Sequence, residues 1–224
     1  MADKDISTLR EISEYFYRSN GIYKAVCNYY AYLYRYDWWI VPEINSDKVS
    51  EEKILATFGK ILSYLDSSSV KAKCGEIALK VIRQGAYYGY FIKEADVLTI
   101  QELPPAYCRS RYSIGNQAAI EFNMKFFDDK FSDINYRMKV LKMFPPEFAK
   151  GYLLYKQGKL KDDAVNKTSG GGWYLLDPSV TFKFSLDTGD IPYFVNAIPA
   201  LIDLDAAQEL DRRKQMQKLL KILV

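Results

Sequence analysis

Apolar positions along the chain recur at a helical spacing, then at a strand spacing, then at a helical spacing again. Residues 4–17 place Ile6, Leu9, Ile12 and Phe16 along one side, which predicts a first helix with Ser7 as its cap. Asn20-Gly21 interrupts it. Residues 22–36 then repeat Ile22, Val26, Tyr29 and Leu33, with Tyr23, Tyr30, Tyr32 and Tyr34 on the flanks. A helix with tyrosine on nearly every side is expected to be contacted on more than one face. Residues 38–41 before Pro42 read as a short extended piece. Ser50-Glu-Glu-Lys opens a third predicted helix, whose apolar side is Ile54, Leu55, Phe58, Ile61, Leu62 and Leu65. Residues 71–84 form a fourth, with Cys74, Ile77, Ala78, Val81 and Ile82 inward and Gly85 as the residue that ends it.

The period then falls from 3.6 to 2. Residues 87–92, 97–103, 107–112 and 118–124 read as four short strands, separated by Lys93-Glu-Ala-Asp, Pro104-Pro105 and Ile114-Gly-Asn-Gln. They predict an antiparallel meander or small barrel-like sheet. Helix returns over 131–144 up to Pro145-Pro146, and a short one is expected over 147–156. Residues 157–172 read as a loop, followed by strands over 173–178 and 180–184. From Ile198 to Val224 one long helix would span about 40 Å at 1.5 Å per residue. No Gly, Asn or Pro stop signal follows Pro199 within the chain. Helices, sheet, helices, strands and a long helix make an α+β fold, with 1–190 expected as one domain and 191–224 as a connector and long helix.

Composition narrows the chemistry. The 224 residues contain no histidine, which removes the commonest general base and zinc ligand and rules out Ser–His and Cys–His nucleophile pairs. Three cysteines (Cys27, Cys74, Cys108) stand far apart and read as small buried hydrophobes in a reducing compartment. The first five residues show no signal-peptide pattern and no apolar run reaches the ~20 residues of a membrane span; the chain is expected to be cytosolic where it is made. Net charge of +3 is too mild to announce a nucleic-acid binder.

Four groupings remain. Ser169-Gly-Gly-Gly172 precedes a strand and lacks a following Lys-Ser/Thr, so it reads as a surface loop and not a phosphate cradle. Asp128, Asp129 and Asp133, and Asp203 with Asp205, are paired carboxylates that can hold a metal or serve acid–base work. Both groups fall near predicted helix starts, where the helix dipole alone favours acids. Tyrosines 23, 29, 30, 32, 34 and 36, interleaved with Arg18, Lys24 and Arg35, suit either a subunit interface or a base-stacking platform. The final helix orders its charges: Asp203, Asp205, Glu209 and Asp211 first, then Arg212, Arg213, Lys214, Lys218 and Lys221. That order complements the macrodipole and also suits helices packed side by side, acids of one subunit facing bases of the next.

Three segments together resemble the portal proteins of tailed bacteriophages, the connector rings at the capsid vertex. They are Ser19-Asn-Gly-Ile-Tyr-Lys-Ala-Val-Cys-Asn-Tyr-Tyr-Ala-Tyr-Leu with Tyr36-Asp-Trp-Trp-Ile-Val-Pro42; Ala78-Leu-Lys-Val-Ile-Arg-Gln-Gly-Ala-Tyr-Tyr-Gly-Tyr-Phe-Ile92 with Thr99-Ile-Gln-Glu-Leu-Pro-Pro-Ala-Tyr-Cys108; and Gly189-Asp-Ile-Pro-Tyr-Phe running into residues 198–211. The resemblance implies a wing-like domain leading into a stem helix in a homo-oligomeric ring of about twelve subunits. Beyond Val224 it implies a clip, a second stem helix and a crown. It further implies a non-enzymatic virion protein without cofactors or metal, assembled in the host cytoplasm. Its partners would be other copies of itself, double-stranded DNA in the channel, the terminase large subunit, capsid protein and tail adaptors, with no membrane. Lys214, Lys218 and Lys221 become DNA-channel candidates; Asp203, Asp205, Glu209, Asp211, Arg212 and Arg213 become subunit-interface candidates. The alternative is a single-stranded nucleic-acid binder using Tyr29, Tyr30, Tyr32 and Arg35; a divalent-metal enzyme built on Asp128, Asp129 and Asp133 is the third reading.

Overall fold

The computed structural model describes residues 2–33, 41, 50–93, 97–115, 117–160, 171–186 and 189–222. Tyr34, Arg35, Tyr36, residues 38–40, Ser169, Gly170 and Val224 lie outside these residues, as does the side chain of Lys221. The helices are α1 (Ala2–Ser19), α2 (Gly21–Tyr32), α3 (Glu51–Ser67), α4 (Val70–Gln84), α5 (Lys125–Lys130), α6 (Ile134–Met143), α7 (Pro146–Lys156) and α8 (Ile198–Ile222). The strands are β1 (Ala86–Lys93), β2 (Leu98–Leu103), β3 (Cys108–Arg109), β4 (Ser113–Ile114), β5 (Gln117–Ala118), β6 (Glu121–Asn123), β7 (Trp173–Leu175) and β8 (Thr181–Ser185). The fold is α+β, with small antiparallel sheets and a long C-terminal helix.

Two compact units are interleaved along the chain. One is built from Met1–Trp38, Cys74–Ala86 and Ser185–Val224, the other from Trp39–Lys73 and Tyr87–Phe184. The expected segments 1–190 and 191–224 follow chain order, whereas each compact unit is discontinuous.

The first unit is helical. Tyr23, Cys27 and Ala31 recur at i, i+4, i+8 on α2 and form a buried core with Ile82 of α4 and with Val195 and Ile198. Leu9 and Phe16 of α1 and Leu201 of α8 pack around it. Ser7 is not the cap expected of it, because α1 already begins at Ala2 with no breaker upstream of the serine. Asn20 caps α2, its side-chain oxygen accepting from the Tyr23 amide at 2.9 Å. Gly85 ends α4 at φ 82°, and a Cβ there would stand 2.0 Å from the Asp190 carbonyl oxygen. Only glycine fits that left-handed, crowded position. Cys74, expected inward, is exposed; that turn of α4 meets Tyr32 through Gly75, where a Cβ would come within 2.9 Å of the ring.

The second unit holds the sheets. The expected four-strand meander is instead two three-stranded sheets, ordered β2-β1-β8 and β3-β6-β7, with a separate β4-β5 hairpin. Tyr88 pairs with Leu103 and Lys93 with Leu98 between β1 and β2, but the third strand of each sheet arrives from beyond residue 170. Alternation within one strand specifies its faces and not its distant partner. The helix expected over 131–144 is likewise divided. Phe131 turns extended after α5, and Asp133 caps α6 by accepting from the Asn135 amide at 2.8 Å. Phe122, Phe127 and Phe148 are fully buried there, with Phe122–Phe148 and Phe127–Phe144 centroids 5.2 and 5.1 Å apart in edge-to-face contact. The apolar side expected for α3 is not buried: Leu55, Ile61 and Leu62 are all exposed.

Candidate interaction surface on the C-terminal helix

Helix α8 is held at its start and exposed over nearly all of its side chains from Ile202 to Lys218. Ile198 is buried and Leu201 half-buried against the first unit's core, where Tyr193 N donates to the Ile82 carbonyl at 3.0 Å. Pro199 falls in the first helical turn, where its missing N–H costs nothing. At Asp205 the carboxylate accepts from Asn20 Nδ2 at 3.1 Å. At 100° per residue Ile198, Leu201 and Asp205 share one side of the helix, the side fastened to the core.

The opposite side carries Asp203, Leu204, Ala207, Leu210 and Asp211. From Ile202 to Lys218 every side chain is exposed except the half-buried Glu209. Ile202, Leu204, Leu210 and Met216 are 51, 42, 57 and 60% exposed and are distributed around the helix, Leu204 and Leu210 falling on the side away from the core.

The expected interface charges are partly paired along the helix itself. Glu209 accepts from Arg212 and from Arg213, each at 3.0 Å, in i,i+3 and i,i+4 relation. Hydrogen bonds from Arg213 and then Arg212 hold the Glu209 carboxyl below the ordinary range. Lys214 lies 4.0 Å from Asp211. Such exposed pairs contribute little to stability. Asp203 and Lys218 make no ion pair among the described residues. The structure thus brings Asp205 to Asn20 and Glu209 to its own arginines. It leaves Asp203, Asp211, Lys214 and Lys218 in solvent on the long exposed run.

The tyrosines divide. Tyr23 is buried, its hydroxyl 2.8 Å from Ser13 Oγ, a fully buried serine on α1. Burial raises the pKa of Tyr23 and pushes the neighbouring Cys27 thiol up to about 11. Tyr32 lies against Gly75. Tyr29 and Tyr30 are 64 and 49% exposed and meet edge to face at 5.4 Å, with Tyr30 continuing to Phe194 at 5.2 Å and Phe194 to Tyr193 at 5.0 Å. This aromatic row leads toward the start of α8. In the sequence Asn20-Gly21 reads as a break, and residue spacing does not single out Ser13; the available signal for Asn20 is the preference of asparagine for the position before a helix.

Asp128, Asp129 and Asp133 do not converge. Asp128 takes Arg137 Nη1 at 2.6 Å, Lys156 Nζ at 2.7 Å and the Tyr152 hydroxyl at 2.8 Å. Burial alone would raise its pKa, but the bonds from Lys156 and Tyr152 and the adjacent charges outweigh that and lower it. Asp129 accepts from Tyr107 at 3.2 Å, and Asp133 is the α6 cap. Among the described residues no group of three or more Cys, Asp or Glu is placed to hold a metal ion. No helix among them is long and apolar enough to cross a membrane. Comparison of the chain with protein-family models, with curated proteins and with solved structures gives no match.

Proposed function

We propose that this chain is a structural subunit of a homo-oligomeric ring of the phage portal type, with α8 as the element that meets neighbouring subunits. The observation that carries this reading is the exposure of Ile202, Leu204, Leu210 and Met216 along a 25-residue helix. An isolated helix gains little from propensity and depends on packing an apolar face. Among the described side chains of α8 that packing falls at Ile198 and Leu201. Neighbouring copies would supply the rest, and a cyclic arrangement gives every copy the same two neighbours. In such a ring Lys214, Lys218 and Lys221 are the channel candidates, DNA the cargo, and terminase, capsid and tail adaptors the docking partners. No bond chemistry is assigned to it.

Sedimentation velocity of the full-length protein at micromolar concentration tests the reading. A closed species of about twelve copies, visible as a ring by negative-stain microscopy, is the expected outcome. A strictly monomeric full-length protein overturns it.

The exposed pair Tyr29 and Tyr30 favours a second reading, single-stranded nucleic-acid binding by base stacking. It requires salt-dependent binding of a single-stranded oligonucleotide that weakens on Tyr29→Ala and Tyr30→Ala; no binding at low salt ends it.

A further inference from the structure

From the same chain's second compact unit, we infer that the outer face of α6 is the docking surface for the acidic first half of α8 of a second copy. The inference rests on the ring reading above and names which surfaces meet. Two helix faces on this molecule are uncovered, apolar and of opposite charge.

The first is the free side of α8 between Asp203 and Asp211. Residues 189–211 contain Asp190, Asp203, Asp205, Glu209 and Asp211 and not one Lys or Arg. Of these, Asp205 is engaged by Asn20 and Glu209 by Arg212 and Arg213, while Asp211 lies 4.0 Å from the exposed Lys214. What faces outward is Asp203 and Asp211 with Leu204 and Leu210 between them. The pairs 203/210 and 204/211 are seven apart, so all four share one stripe of the helix.

The second is α6. Leu141 is buried, Val140 half-buried, and Arg137 turned to Asp128. The remaining arc presents Ile134, Tyr136, Met138 and Met143, exposed by 66, 56, 46 and 79%, around the exposed Lys139 and Lys142. Neither lysine has an ion pair among the described residues. This is the complement of the α8 stripe: aliphatic side chains interleaved with two cations, where the other interleaves aliphatics with two anions. Met side chains adapt to a facing helix without a preformed pocket.

Residues 125–159 hold eight Lys or Arg (125, 130, 137, 139, 142, 150, 156, 159) against four acids (128, 129, 133, 147). Their excess of 8 − 4 = 4 exceeds the whole chain's net +3. Residues 125–159 around α6 are thus net positive and residues 189–211 net negative; the end of α8, with Arg212, Arg213, Lys214, Lys218 and Lys221, is a second positive segment. A contact between two different surfaces of identical chains is heterologous, the kind that propagates from copy to copy and closes into rings. Opposite charge on the two faces sets the direction of that propagation and rejects face-to-face pairing of like surfaces.

The test uses two charge-reversed forms of the full-length protein. One carries Lys139→Glu and Lys142→Glu, the other Asp203→Lys and Asp211→Lys; all four positions are exposed, so circular dichroism should be unchanged. Each form alone sets like charges against each other and is expected to lose at least tenfold in assembly affinity by sedimentation velocity, or to stay monomeric. Mixed in equal amounts, every α8 again meets an opposite charge, and assembly should return. A wild-type protein that assembles while both reversed forms assemble equally well overturns this inference and leaves the ring reading standing. A wild-type protein that stays monomeric overturns the ring reading and this inference with it. If the lysine reversals abolish binding of duplex DNA while assembly persists, α6 is a nucleic-acid surface and the inference is likewise overturned.

Discussion

The side chain of Asn20 serves two helices at once: its oxygen caps α2 at the Tyr23 amide, 2.9 Å away, and its Nδ2 donates to the Asp205 carboxylate of α8 at 3.1 Å. One amide thus fixes where α2 begins and binds α8 to it. Only a residue that both donates and accepts can do this.

Asn20→Ala is expected to cost about 1–2 kcal/mol for the cap, with a further contribution from the lost bond to Asp205. Asn20→Asp separates the two roles. It keeps an acceptor for the Tyr23 amide but sets a second carboxylate against Asp205, so it should be destabilising at neutral pH and recover as the acids are protonated. Urea denaturation of both variants at two pH values measures this; equal midpoints for Asn20→Asp and wild type would remove the tether.

Asp128 should give the chain an acid-sensitive increment of stability. Its folded pKa is lowered from the ordinary 3.8, so its contribution is present above that value and is lost as pH falls through the lower, folded one. Asp128→Asn leaves Arg137 and Lys156 without their carboxylate and is expected to cost about 1.5–3 kcal/mol at neutral pH. The deficit should shrink below pH ~4. Thermal unfolding of the two proteins across that range checks it, and a constant difference at every pH would contradict the assignment.

Gly89 lies under the Phe182 ring. A Cβ at residue 89 would stand 2.3 Å from Phe182 Cζ, and the ring also stacks on Phe91 at 4.5 Å. Gly89→Ala should therefore destabilise by about 1–3 kcal/mol through overpacking. Combining it with Phe182→Leu, which shortens the intruding side chain, should recover part of that loss. Additive losses in the double variant would show that the two residues do not share the space.

The α+β class was legible from the sequence because it rests on local periodicity. So were the start of α8 at Ile198 and the end of α4 at Gly85, since a proline in the first turn and a glycine after the last need no distant partner. The charge order of α8 was legible as well, but not its use. Pairing Glu209 with Arg212 and Arg213 follows from helical spacing alone, whereas the engagement of Asp205 by Asn20 joins residues 185 positions apart. Tertiary structure alone decided which strands share a sheet. It also turned Asp128 into the partner of Arg137, Tyr152 and Lys156, and buried Ser13 against Tyr23. Each depends on separate elements that meet only through packing, from Ser13 and Tyr23 on adjacent helices to Asp128 and Lys156, 28 positions apart. A run of apolar positions says that a face must be covered; only the packed molecule determines what covers it. On α8 the sequence already set out apolar residues at 202, 204, 210 and 216, and the fold left them uncovered.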